Sequence, residues 1–256
     1  MEFAQGRGGE AGSVHVVLGA TGGIGSAVAR HLAEAGSRLM VAARDGEKVD
    51  RLARELDAES QVLDATRFDE VERCVSAARE AYGRVDGLVN CVGSVLLKPA
   101  HLTSEEEFNQ TLTLNLGSAF AAVRAGAQAM RKEGGSIVLV SSAAAGVGLV
   151  NHEVIAAAKA GINGLVLSAA ASYARLKIRV NAVAPGLVRS PQTEMITEVE
   201  AAARASVAMH ALGRLGEPED IASAIAFLLD PATSWVTGQI LAVDGGLSSV
   251  RTRVKV

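Results

Sequence analysis

Gly19-Ala20-Thr21-Gly22-Gly23-Ile24-Gly25 follows a short apolar run, Val14–Leu18, and opens an Ala-rich amphipathic stretch, Gly25–Ala35. Glycines at 19, 23 and 25 remove side chains from a strand-to-helix turn, so another backbone or an anion can approach it closely. The N-terminus of the helix beyond offers unpaired N–H groups and the positive end of its dipole, which together suit a pyrophosphate. Gly19, Thr21, Gly22, Gly23, Ile24 and Gly25 are therefore expected to cradle a dinucleotide. Glycine-rich turns of this kind also arise from packing alone.

Outward from this turn, strand-like runs alternate with helical ones. The strands are expected at Val14–Leu18, Arg38–Ala42, Ser60–Leu63, Gly87–Val92, Ser136–Ser141, Ile178–Ala184 and Gln239–Val243. The helices are expected at Gly25–Ala35, Glu47–Leu56, Arg67–Tyr82, Ser104–Lys132, Ala156–Leu176 and Glu219–Leu229. That alternation predicts βαβ units and a parallel sheet covered on both faces, a doubly wound α/β (Rossmann) architecture. No repeat or linker divides the chain, so 13–256 is expected to be one domain behind a polar, flexible lead-in over 1–12. The segment 187–216 interrupts the rhythm just before the last helix, as a lid over a binding site would.

The 256 residues are 49% hydrophobic and 3% aromatic, with 27 glycines, which suits an aliphatic core between sheet and helices. A net charge of -3 gives no nucleic-acid footprint. Two cysteines, Cys74 and Cys91, make no disulfide framework and fit a reducing compartment. No unbroken apolar run reaches the roughly 18–20 residues of a membrane span, no signal-peptide core opens the chain, and no metal site is read. A cytoplasmic location is expected.

At the end of the second strand Ala42-Ala43-Arg44 has no acid to bond a ribose 2′-hydroxyl, whereas Arg44 could pair with a 2′-phosphate. NADP(H) is therefore favoured over NAD(H), the alternative being an ordinary solvated arginine. Asp64-Ala65, after the third strand, stands where an adenine amino group could be accepted. Asp64 could equally cap the helix that follows.

These elements together resemble the short-chain dehydrogenase/reductase family. Asn90-Cys91-Val92-Gly93 looks like its Asn-Asn-Ala-Gly element, and Asn115 in Leu114-Asn115-Leu116-Gly117 like its helix asparagine. Ser142 stands where the catalytic serine is expected, and Lys159 in Ala158-Lys159-Ala160-Gly161 resembles the lysine of Tyr-x-x-x-Lys. Pro185-Gly186-Leu187-Val188-Arg189-Ser190 resembles the Pro-Gly loop, and Trp235–Gln239 with Val243–Gly246 the closing segment. The resemblance runs from about Val14 to Gly246. It implies an oxidoreductase acting on a small carbonyl or alcohol substrate, with Asn90, Val92, Gly93, Lys159, Pro185, Gly186, Val188 and Ser190 at the cofactor. It also implies a homotetramer or homodimer, for which the Ala-rich helices 104–132 and 156–176 offer flat faces.

The resemblance breaks at Ile155, four residues before Lys159. On a helix these positions share a face, and the family carries there a tyrosine that moves the proton. Isoleucine has no ionisable group. Nearby stand His152, whose imidazole is suited to proton transfer near neutrality, and Glu153. Ser142, or a water held by Asn115 and Lys159, is a further candidate donor. Three functions remain open on the sequence: an oxidoreductase with a substituted proton relay, a dinucleotide-binding pseudoenzyme acting as sensor or partner subunit, and a non-redox isomerase or dehydratase.

Overall fold

A computed structural model describes residues 12–251; the ends of the expected lead-in and of the basic tail lie outside the described residues. Seven strands form one sheet in the order β3-β2-β1-β4-β5-β6-β7. They are β1 Val14–Leu18, β2 Arg38–Ala43, β3 Glu59–Val62, β4 Gly87–Asn90, β5 Gly135–Val140, β6 Ile178–Pro185 and β7 Ile240–Val243, and every pairing is parallel. The doubly wound α/β expectation holds.

Burial on both faces explains why the central strands are mostly aliphatic, whereas the edge strand β3, Glu59-Ser60-Gln61-Val62, is mostly polar. Val16, Leu18, Leu88 and Ile137 enter one core layer, while Val17, Val89 and Val138 enter the other. Helices α1 (Gly23–Glu34), α2 (Gly46–Leu56) and α9 (Pro218–Leu229) cover the second layer, and α3 (Phe68–Tyr82), α4 (Glu105–Leu112), α5 (Ser118–Met130) and α6 (Glu153–Tyr173) cover the first. Strand order reverses between β1 and β4, and ligands of such sheets lie outside the carboxyl ends at that point.

The expected helix Ser104–Lys132 is three pieces. A π-helical segment, Thr113–Gly117, separates α4 from α5. The Asn115 side chain donates to the Thr111 carbonyl at 2.9 Å, within the widened turn. Strand β4 stops at Asn90 rather than Val92 because the Asn90 side-chain oxygen accepts the Val92 N–H at 3.2 Å and turns the chain. The segment 187–216 is not a simple loop: it folds into α7 (Glu194–Thr197) and α8 (Glu200–Met209). Its two ends are joined by the Val188–Gly216 bridge and the Arg189 N–H to Gly216 carbonyl bond at 2.9 Å. By length and apolarity alone the helical stretch Glu153–Leu176 could cross a membrane, a property that a search for unbroken apolar runs overlooks. Its inner face packs on β6, which accounts for much of that apolarity.

One core residue is costly. His15 on β1 is buried, its Nδ1 lacks a hydrogen-bond partner, and its ring lies where a side chain at Gly87 would otherwise go. Burial pushes its pKa down to about 4, against a small opposing pull from Asp86. The unfolded chain takes up this proton near 6.5 and the folded chain only near 4, so stability is lost as pH falls through that window. The loss should reach on the order of 3 kcal/mol. Urea unfolding from pH 7 to 4 should show this slope, and His15→Val should flatten it. An equally steep slope in the variant would place the acid sensitivity elsewhere.

Candidate active site

The carboxyl ends of β4, β5 and β6, Ile24 in the first turn of α1 and the segment 187–216 enclose a cleft of about 560 Å³. Ile24, Gly93, Ser142, His152, Ile155, Lys159 and Ser190 all line it. At one end the turn after β1 meets α1. Gly19 has φ of 75°, and a Cβ there would lie 3.0 Å from Val92. A Cβ at Gly25 would run into the Gly19 carbonyl, so this glycine is required by the turn itself. Gly22 differs: its Cβ would meet only the Gly19 oxygen, at 3.4 Å. No side chain caps α1, whose first N–H groups remain available to an anion. Gly23 faces the lid, because a Cβ there would lie 2.8 Å from Ser190 Cβ.

Arg44 follows β2, exposed and in none of the ion pairs found among the described residues. Asp64 accepts the Thr66 N–H at 2.9 Å and the Thr66 hydroxyl at 2.8 Å. These bonds, with Arg44 and Arg67 nearby, hold its carboxyl below the usual range. The cap position of α3 falls to Arg67, so Asp64 closes a turn before the helix rather than capping it. Ala65 is buried beside it. Asn90 directs both ends of its amide into the fold: Nδ2 donates to Ser118 Oγ at 3.1 Å and Oδ1 accepts from Val92.

At the other end the backbone of Gly93 passes between two polar side chains. A Cβ there would lie 2.8 Å from Asn115 Oδ1 and 3.3 Å from Lys159 Nζ. Asn115 itself bonds the Ser94 N–H at 3.3 Å and the Ser94 hydroxyl at 3.1 Å. Lys159 is 7% exposed and donates to the Val140 carbonyl at 2.8 Å. Burial pulls its pKa down to about 8, with a small opposing effect from Cys91. The Cys91 thiol, buried in turn, is pushed up to about 12. Ser142 accepts the Ala144 N–H at 3.1 Å, which orients its oxygen and leaves its own proton free to be donated. Ile155, 4% exposed, borders the same space one turn before Lys159.

His152 sits at the rim, half-buried, its Nδ1 donating to the Val150 carbonyl at 2.7 Å, so the free ring nitrogen is Nε2. Glu153 is exposed and outside the cleft lining, which removes it as a candidate acid. Pro185 and Gly186 enter the lid beside Asp244, and Val188 is buried, its carbonyl accepting the Thr193 hydroxyl at 2.6 Å.

Three participants carry no sequence signal. Gln192 reaches across the cleft to donate to the Gly93 carbonyl at 2.6 Å. Met209 lines the wall. His210 is buried at the end of α8, donating from Nδ1 to the Ser206 carbonyl at 2.7 Å and accepting the Leu187 N–H at Nε2, 3.1 Å. Cys91 was visible only as a variant within a motif.

Residues 19–248 match the family model described as enoyl-(acyl carrier protein) reductase. A short-chain type dehydrogenase/reductase from Mycobacterium ulcerans superposes with a TM-score of 0.89 at 32% identity, over 92% of this chain and 90% of that one. The chain belongs to the short-chain dehydrogenase/reductase family. Within the family it is 40% identical to cis-4-hydroxycyclohexanecarboxylate dehydrogenase of Sinomonas cyclohexanicum, over 93% of this chain and 97% of that one. A structure of a variant actinorhodin polyketide ketoreductase with NADPH has a TM-score of 0.86 at 32% identity, covering 93% and 98% of the two chains. These relatives are oxidoreductases.

Proposed function

We propose that the protein is an NADP(H)-dependent oxidoreductase interconverting a carbonyl and an alcohol, with a proton relay that does not use tyrosine. The observation that carries this is the single cleft running from the uncapped N-terminus of α1 to Lys159 and Ser142. The residues fit a dinucleotide: a Cβ at Gly22 would meet only the Gly19 oxygen, at 3.4 Å, beside uncapped N–H groups, and Arg44, in no ion pair among the described residues, stands one strand away. NADPH in the ketoreductase structure supports the same cofactor class.

When bound, the reduced dinucleotide supplies the hydride. The N–H groups of Gly23, Ile24 and Gly25 would hold its pyrophosphate, and Arg44 would pair with a 2′-phosphate. Lys159, with ammonium protons to spare beyond its bond to Val140, binds ribose hydroxyls. Ser142 would donate a hydrogen bond from its hydroxyl to the substrate oxygen and so polarise it. Ile155 stands in the place of the family's tyrosine and can only exclude water. His152 would deliver the proton from Nε2 as the imidazolium, ending as the neutral ring with its remaining proton on Nδ1 toward Val150. The exposed Leu167 of α6 and Phe120 of α5 suit a homotetramer or homodimer, and the location that goes with this reading is the cytoplasm.

Two experiments test the cofactor half. By fluorescence titration, NADPH should bind about tenfold or more tightly than NADH, as a charge-assisted hydrogen bond of about 1.5–3 kcal/mol requires. Arg44→Ala should erase the difference; equal affinities in the unaltered protein would defeat the assignment. Separately, Gly22→Val should abolish dinucleotide binding with a melting temperature near that of the parent, whereas Gly25→Ala should cost about 1–3 kcal/mol of stability through overpacking. Undiminished affinity in Gly22→Val would show that the turn serves packing only.

A further inference from the structure

The cleft that holds Lys159 and Ser142 is almost without charge. No arginine, aspartate or glutamate lines it; its titratable members are Cys91, His152, Lys159 and His210. Each is either bonded within the fold or assigned above to the dinucleotide or the proton relay. Lys159 lies at the floor against the Val140 carbonyl, at the reacting end. His210 has both ring nitrogens bonded within the lid, and His152 gives Nδ1 to Val150. Cys91 is held as a neutral thiol by burial.

Cations next in the chain to lining residues are paired as well: Lys98, beside Leu97, with Glu107 at 2.8 Å and Arg189, beside Val188, with Glu217 at 3.2 Å. What the cleft presents instead is hydrocarbon: Val95, Leu97, Ile196 and Met209 form its walls, and Val150 stands at the rim 84% exposed. Met209 is 49% exposed on the same wall. Large aliphatic side chains left in water at the mouth of a cleft are covered when a ligand's own apolar body reaches them. A carboxylate or phosphate brought into the same walls would lose hydration with no free partner, a cost of several kcal/mol.

We propose that the substrate is an uncharged, largely apolar ketone or secondary alcohol whose hydrocarbon body lies along Val95, Leu97 and Met209 out to Val150. Small oxo acids, whose carboxylate would have to lie against these walls, are disfavoured. This rests on the oxidoreductase reading of the cleft, and the test separates the two.

Dinucleotide binding is measured first, by fluorescence. Then 4-tert-butylcyclohexanone and 4-oxocyclohexanecarboxylate, which share a ring and differ in charge, are titrated by calorimetry at pH 8, with and without NADP+. The ketone is expected to bind at least 30-fold more tightly than the oxo acid. Met209→Lys, which adds a cation at a half-exposed wall position, should raise affinity for the oxo acid at least tenfold and weaken the ketone. Equal or tighter binding of the oxo acid to the unaltered protein, or binding of neither compound, overturns the substrate class. Ketone selectivity without any dinucleotide binding would support an apolar ligand site and overturn the oxidoreductase reading instead.

Discussion

Ile155→Tyr is expected to raise NADPH-dependent reduction of small activated ketones by about 10²–10⁴-fold, the usual contribution of a positioned general acid. Ile155 borders the cleft one helical turn before Lys159, so a phenol there would stand beside the ammonium, which lowers its pKa toward neutrality. The position is more enclosed than an open cleft wall, and the larger side chain should cost on the order of 1–3 kcal/mol. Circular dichroism and a dinucleotide titration establish that the variant folds and binds before turnover is measured. His152→Ala in the parent is the companion measurement and should lower activity severalfold or more. A folded, cofactor-binding Ile155→Tyr that reduces nothing, together with an indifferent His152→Ala, would remove both the inherited geometry and the histidine relay.

Lys159→Met should make the protein more stable at pH 7 while abolishing turnover and weakening dinucleotide binding. Burial lowers the Lys159 pKa from an ordinary 10.5 to about 8. The unfolded chain keeps this proton up to about 10.5 and the folded chain only to about 8, so charging the folded protein is penalised. The penalty is complete below pH 8, shrinks between 8 and 10.5, and vanishes above. At pH 7 it is on the order of 3 kcal/mol. Methionine matches the length and flexibility of the stem without the charge. Urea unfolding should therefore show a large gain at pH 7 and a smaller one at pH 9.5. A variant less stable than its parent at both pH values would mean that the Val140 bond outweighs burial. Such a cost, carried by a residue that no core needs, is the signature of a position kept for function.

The architecture was legible because it depends on local periodicity. Short apolar runs such as Val14–Leu18, broken only by His15, fit strands buried on both faces when they alternate with helical stretches, and the glycine turn after them suits a tight strand-to-helix passage. Boundaries slipped where a side chain intervened: β4 ends early because Asn90 turns the chain onto Val92, and the long fourth helix widens at Asn115. The segment 187–216 was legible as an interruption but not as two helices, because α7 and α8 lack the strong periodic face of a core helix.

For the site, the sequence alone determined which chemical groups exist and which share an element, above all Ile155 and Lys159 on one helical face. Tertiary structure alone decided which of them meet. Ser190 reaches Gly23, Gln192 spans the cleft to Gly93, and His210 holds Leu187. Each contact joins residues between 23 and 167 positions apart, and no local pattern encodes such a pairing. The same holds for charge near the cleft: folding brings Glu107 against Lys98 and Glu217 against Arg189. Backbone conformation follows from sterics and burial within a few residues, whereas electrostatic neutrality and proton affinity depend on every neighbour that packing supplies.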